Sequence, residues 1–231
     1  MTAACVIFDM DGVLVDTAPF HIEAWKIFGE RHNRPVSEEF FYKTFGMVNQ
    51  EIIPLLFGAE MSIEESRPFM DEKEAVFRDC IKGKIAPIRG VMELVEDLHA
   101  NGIATAVASS APRENVDLLT AELGLDRYAK IRLCGDDVTR GKPDPQIFLK
   151  AAELCGVPPA ACLVVEDAVV GVEAANAAGM ASLAVTTTCE RDALAAADLV
   201  VDSLQEMDAG AALALIRKND GASEGKEPPD A

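Results

Sequence analysis

Short apolar runs rich in β-formers, each followed by a stretch of helical character, constrain this chain more than any other feature. The runs are Cys5 to Phe8, Ile103 to Ala108, Ile131 to Cys134, Cys162 to Val165, Ala181 to Val185 and Leu199 to Val201. None shows the apolar-polar alternation of a strand with one wet face, so they read as strands buried on both faces, the mark of a parallel sheet. Between them lie helical stretches, Arg113 to Leu123, Pro145 to Cys155 and Ala168 to Ala178, closed by Gly124, Gly156 and Gly179 where a helix C-cap is expected. Alternation of this kind predicts an α/β fold with a doubly wound parallel sheet.

One region breaks the alternation. From about Thr17 to Lys84 the pattern is helix after helix, with His21 to Glu30, Ser37 to Thr44, Asn49 to Leu56 and Ile63 to Ile81 all lacking a strand. A helical unit is therefore expected to be inserted after the first strand, and the return, Ile85-Ala-Pro-Ile-Arg-Gly90, carries the Pro and Gly of a boundary. The chain of 231 residues suits one core domain plus such an insertion. The expected division is residues 1–16 and 86–218 for the core and 17–85 for the insertion, with 219–231 as a disordered tail. Met47, Phe57, Met61 and Phe69 are expected to form the insertion's own small core. The residues after Lys218 are polar and rich in Gly and Pro, too poor in apolar surface to offset their ordering entropy.

A formal net charge of -18 repels phosphate backbones, so nucleic-acid binding is not expected. An anionic substrate would meet the same repulsion. Any phosphate site must then assemble local positive charge from a metal, a lysine and backbone N–H groups. The six cysteines show no metal-ligand or CxxC spacing and are read as reduced thiols, mostly small buried hydrophobes. With no apolar run of membrane-spanning length and no signal-like N-terminus, the expectation is a cytoplasmic monomer with no membrane partner.

In an open α/β sheet, ligands bind beyond the carboxyl ends of the strands. The residues found there form a consistent set. The first run ends in Asp9-Met-Asp11-Gly12 and the second in Ser109-Ser110. The third leads through Gly135-Asp136-Asp137 to Gly141-Lys142-Pro143, and the fourth ends in Glu166-Asp167. Each has an ordinary reading alone, as a helix cap, a turn residue or a solvated lysine. Together they deliver carboxylates, a hydroxyl and an ammonium to one crevice. Clustered carboxylates suit Mg²⁺, a hard ion that takes oxygen ligands, with Asp9 and Asp167 as candidate donors. Asp9 could then attack a phosphorus in line while Lys142 and Ser109 hold phosphoryl oxygens, with backbone N–H groups near Asp11 and Gly12 completing the cradle. Asp11 stands where it could protonate a departing alkoxide and later deprotonate water.

These segments, DMDGVLVDT at 9–17, Ser109 after a strand, GKPDP at 141–145 and EDAVVGVEAANAAG at 166–179, resemble the signatures of the haloacid dehalogenase-like superfamily. The resemblance implies a Rossmann-like core with an α-helical cap, as in the β-phosphoglucomutase-like branch. It implies Asp9 as nucleophile and metal ligand, Asp11 as acid/base and ligand through its backbone carbonyl, and Asp167 as metal ligand with Glu166 beside it. Ser109 and Lys142 match the phosphate-holding positions, and Ser110 and Gly12 are grouped with them as substrate contacts. In FHIEAW at 20–25, His21 matches a histidine that couples substrate binding to cap closure; the competing reading is a surface or capping histidine. Asn49, grouped with the substrate contacts, stands where the mutase pattern has an arginine for a second phosphate; Lys73 could face the substrate, and the favoured competing reading is an exposed lysine on a solvated helix.

The expected function is therefore a Mg²⁺-dependent phosphatase acting on a small phosphorylated metabolite, a sugar phosphate above others. The alternatives are a β-phosphoglucomutase-type phosphomutase and a non-catalytic protein that binds a phosphometabolite.

Overall fold

The computed structural model describes residues 3–44 and 49–223. The chain separates into two compact units, Met1–Asp16 with Ala86–Ala231, and Thr17–Ile85.

The first unit is built on a parallel sheet of β1 (Cys5–Phe8), β2 (Ala104–Ala108), β3 (Ala129–Leu133), β4 (Cys162–Glu166), β5 (Ala181–Val185) and β6 (Leu199–Val201). Its order is β3-β2-β1-β4-β5-β6. Every residue of β1, β4 and β5 is buried, which is why those runs carry no alternation. Strand β3 lies at the sheet edge and begins at Ala129, two residues before the predicted Ile131, because an edge strand accepts Lys130 on its exposed side and breaks the apolar run.

The helices of this unit are α5 (Val91–Ala100), α6 (Arg113–Glu122), α7 (Gln146–Cys155), α8 (Val169–Ala177) and α9 (Ala209–Ser223). Ile147, Phe148 and Ala151 of α7 pack with Ile7, Ala106 and Val164 of the sheet in one core cluster. Helix α5, not singled out from the sequence, buries Val91, Leu94, Val95 and Leu98, one stripe at helical spacing. Helix α9 corrects the expected tail boundary, since residues 219–223 are helical. The alanine-rich start favours propagation of the helix, and Asn219 Nδ2 donates to the Gly179 carbonyl at 3.1 Å. The rest of the segment read as tail, 224–231, lies outside the described residues.

The second unit contains α1 (Ala18–Arg31), α2 (Glu38–Thr44), α3 (Asn49–Phe57) and α4 (Ile63–Ile81), with no strand among its described residues. Trp25, Phe28, Val36, Ile52 and Ile53 form its core, with Phe57, Met61 and Phe69 packed against them; Met47, expected there too, lies outside the described residues. The start of α4 is fixed by a capping box, in which Ser62 Oγ accepts from Glu65 N at 3.3 Å and Glu65 Oε2 accepts from Ser62 N at 2.8 Å. No helix among the described residues is long and apolar enough to cross a membrane.

Candidate active site

The strand order reverses direction between β1 and β4, and the crevice at such a reversal is where open α/β sheets bind ligands. Asp9 follows β1 directly and its N–H donates to Val165 O at 2.9 Å, one rung beyond the strand ladder. The chain then folds into a tight loop, with Leu14 N donating to Met10 O and Gly12 N to Val15 O, each at 2.9 Å. Gly12 has φ +77, and a Cβ there would stand 1.9 Å from Asp167 Oδ2, so only glycine allows the Asp11–Gly12 backbone this close to the second carboxylate. Thr187 Oγ1 donates to the Gly12 carbonyl and holds the loop from β5.

Lys142 joins the parts. Its Nζ donates to Asp9 Oδ1 at 2.5 Å, Glu166 Oε1 at 2.6 Å and Ala108 O at 3.2 Å, so its three N–H groups each have an acceptor. The side chain is only 6% exposed, and the ammonium lies 4.8 Å from the Phe148 ring centroid. Glu166 is held from the other side, where its Oε2 accepts the N–H groups of Asp167 at 3.0 Å and Ala168 at 3.2 Å. Room for this carboxylate comes from α8, where a Cβ on Gly171 would fall 1.9 Å from Glu166 Cδ.

Ser109 is fully buried, its N–H bonded to Leu133 O at 3.1 Å and its Oγ accepting from Ala111 N at 3.0 Å. The hydroxyl is thus oriented by the turn that follows β2. Upstream of Lys142, the loop after β3 is tied down by Asp137, which pairs with Arg113 and accepts from Cys134 N at 3.0 Å. The Lys142–Pro143 peptide bond is cis.

Asp9, Glu166 and Asp167 are all buried, and one carboxylate oxygen from each lies within 4.8 Å of the others. One ammonium cannot balance them. Burial pushes the Asp9 carboxyl well above its ordinary range; Lys142 opposes the shift, while Glu166, Asp167 and Asp11 add to it. Burial likewise raises Asp167 to about 7, against a hydrogen bond from Thr188 and with the charges of Glu166 and Asp11. Burial disfavours the charged form of Lys142, but Asp9 and Glu166 outweigh it and hold the ammonium above its usual value. The cluster therefore has more negative charge than it can solvate or pair. An all-oxygen donor set with a charge deficit of this kind fits a hard divalent cation. Because Lys142 and two backbone N–H groups already occupy Glu166, Asp9 and Asp167 are the better placed direct ligands.

Of the residues predicted from the sequence, the core unit gathers Asp9, Asp11, Gly12, Ser109, Lys142, Glu166 and Asp167. Asp11 is half-buried, and Ser110 is exposed on the turn beyond Ser109. Sequence reasoning missed Thr187 and Thr188, which follow β5 and bond Gly12 and Asp167. The only available signal was a run of three threonines after an apolar strand.

His21 and Asn49 belong to the helical unit, in a polar network of its own. Lys73, read as exposed, is only 1% exposed. Its Nζ lies 2.8 Å from both His21 Nδ1 and Glu74 Oε1, and Asn49 Nδ2 donates to the same Glu74 oxygen at 2.6 Å. Since an ammonium only donates, His21 Nδ1 is the acceptor in this contact. The His21 ring stacks on Phe77 with centroids 4.0 Å apart. Pairing with Glu74 and the faces of Trp25 and Phe77, 5.2 and 5.5 Å from the ammonium, make the burial of Lys73 tolerable.

A family model described as haloacid dehalogenase-like hydrolase matches residues 3–179. The chain is 36% identical over 180 residues to a phosphorylated carbohydrates phosphatase of Thermotoga maritima, covering 76% of this chain and 81% of that one. It is 31% identical over 210 residues to a β-phosphoglucomutase of Bacillus subtilis, covering 87% of this chain and 90% of the relative. Among solved structures, a family IA, variant 3 hydrolase of this class from Entamoeba histolytica superposes with a TM-score of 0.85 at 28% identity, over 94% of this chain and 100% of that one.

Proposed function

The chain belongs to the haloacid dehalogenase-like hydrolase family, and we propose that within it this protein is a Mg²⁺-dependent phosphatase of small sugar phosphates, working through a phosphorylated Asp9. The observation that carries the reading is the Lys142 bridge, which fixes Asp9 beside Glu166 at the mouth of the sheet. The Thermotoga relative, named for its action on phosphorylated carbohydrates, supports the substrate class.

In the first step an Asp9 carboxylate oxygen forms a bond to phosphorus, the P–O ester bond breaks, and Asp11 gives its proton to the departing alkoxide. In the second step Asp11 takes a proton from water, whose oxygen attacks the same phosphorus and releases Asp9 with inorganic phosphate. Lys142 holds Asp9 in position and offers positive charge to the phosphoryl oxygens, and the buried Ser109 hydroxyl is placed to donate to one of them. Asp9 and Asp167 would hold the cation, with Glu166 keeping Lys142 in place. When bound, Mg²⁺ supplies positive charge that offsets the carboxylates and the phosphate.

The test is phosphate release from a panel of sugar phosphates with Mg²⁺ or with a chelator. Release in Mg²⁺, lost in chelator and in Asp9→Asn, is expected; equal release by Asp9→Asn would end the proposal. The Bacillus relative favours a second reading, a phosphomutase. Against it, Asn49 stands in place of an arginine and is bonded to Glu74. Conversion of a hexose 1-phosphate to its 6-phosphate, dependent on a bisphosphate primer and with little free phosphate, would decide for the mutase.

A further inference from the structure

At the amino ends of the strands, opposite the acidic cluster, three thiols meet. Cys5 opens β1 and Cys162 opens β4, paired in register, while Cys155 is the last residue of α7. Cys5 Sγ donates to Cys155 Sγ at 3.2 Å, and Cys162 Sγ points to Pro158 O at 3.5 Å. Cys5 and Cys162 are buried and Cys155 is half-buried. We propose that Cys5 and Cys155 form a reversible peroxide-oxidation site, in which the solvent-reachable Cys155 reacts first and the buried Cys5 resolves it into a disulfide. This inference is independent of the phosphatase reading.

The geometry sets both the pairing and the order. A disulfide needs about 2.05 Å between sulfurs, so the pair must close by about 3.2 − 2.05 ≈ 1.2 Å. Cys162 has its proton directed at a backbone carbonyl and is not the primary partner. The hydrogen bond from Cys5 stabilises charge on Cys155 and lowers its thiol, against partial burial. Cys5 is pushed up by its bonds to Cys155 and Cys162 and by burial, and stays protonated. The other three cysteines, Cys80, Cys134 and Cys189, are all pushed up chiefly by burial, so none competes as a thiolate.

The chemistry balances. The Cys155 thiolate attacks one oxygen of hydrogen peroxide, the O–O bond breaks, and hydroxide leaves and is protonated to water; the sulfur becomes a sulfenic acid. The Cys5 sulfur then attacks the Cys155 sulfur, the S–OH bond breaks, and that hydroxide leaves with the Cys5 proton as a second water. Two thiols and one peroxide give one disulfide and two waters.

The experiment treats the folded full chain with hydrogen peroxide, blocks remaining thiols with N-ethylmaleimide, and maps the digest by mass spectrometry. The expected product is about 2 Da lighter before blocking, contains a Cys5–Cys155 linked peptide, has four alkylated cysteines, and reverts with dithiothreitol. In Cys5→Ser, Cys155 should stop as a sulfenic acid that dimedone captures. The wild-type map stands alone if that variant does not fold. A Cys5–Cys162 link, oxidation of Cys155 to sulfinic or sulfonic acid with Cys5 still alkylated, or full alkylation of both after treatment would each overturn the proposal.

Discussion

Replacing Lys142 by methionine keeps most of the side-chain volume and removes the one ammonium that bridges Asp9 and Glu166 at 2.5 and 2.6 Å. Breaking a buried ion pair by deleting one partner costs about 3–5 kcal/mol, because the charge left behind has no compensation. The site can limit that cost by binding a proton. For a carboxyl of ordinary value near 4.3, neutralisation at about pH 7.5 costs at most (7.5 − 4.3) × 1.36, roughly 4.4 kcal/mol. At about pH 5.5 the same arithmetic gives (5.5 − 4.3) × 1.36, roughly 1.6 kcal/mol. Burial already raises Asp9, so the proton is easier to bind than this limit supposes. The expected destabilisation of Lys142→Met is therefore about 3–4 kcal/mol near pH 7.5 and about 1–2 kcal/mol near pH 5.5. Urea unfolding followed by circular dichroism, wild type against variant in chelator at each pH, measures both. A loss below about 1 kcal/mol at the higher pH, or an equal loss at the two, would refute the view that Lys142 compensates buried carboxylate charge.

Asp11→Asn should slow turnover by roughly 10²- to 10⁴-fold through loss of the proton shuttle, seen as a long-lived phosphoenzyme in acid-quench trapping; unchanged turnover would count against Asp11 as acid and base. Gly171→Ala drives a methyl into the Glu166 carboxylate and should lower Mg²⁺ affinity roughly 10- to 100-fold by disturbing the Lys142 anchor, measured by metal titration of activity. For pH, Asp167 is raised to about 7, so between its ordinary value and that point the folded chain binds a proton that the unfolded chain has lost. Metal-free stability should thus fall as pH rises from about 5 to 7.5, and Mg²⁺ should flatten the fall. Glu74 and Asp137, held low in the fold, act in a more acidic window and leave this one clear. Melting temperatures that rise over that range in chelator would contradict the sign.

The core of the site was legible because a parallel sheet leaves a plain record: fully buried runs, then whatever polar residues the strand ends must present. Asp9, Ser109 and Glu166–Asp167 each follow such a run, and the local loop alone places them. Lys142 required the resemblance as well, since nothing in its spacing says that it reaches back across the sheet to Asp9 and Ala108. Lys73 was misread because its solvation was judged from residue type. Its neighbours at i−4 and i+4 are Phe69 and Phe77, which put it on the apolar face, and while its ion-pair partner Glu74 is the next residue on the same helix, its other polar contact, His21, comes from α1. The threonines after β5 carry no charge to mark them. The extent of α9 depends on an Asn219 bond to a distant carbonyl that no local pattern shows.

The placement of β1 also governs the order in which the molecule can be made. This strand finishes at Phe8, yet its two neighbours begin at Ala104 and Cys162, on the far side of the helical insertion. From Phe8 to Ala108, where β2 ends, is 100 residues, which at roughly 5–20 residues per second leaves β1 waiting about 5–20 s for its first partner strand. During that interval Cys5-Val-Ile-Phe8, four residues destined for complete burial, has no strand to pair with, whereas Thr17–Ile85 needs nothing synthesised later to close its own contacts. Newborn chains should emerge as a finished helical unit behind a sticky strand, and truncations ending before Ala104 should be captured by chaperones through Cys5–Phe8.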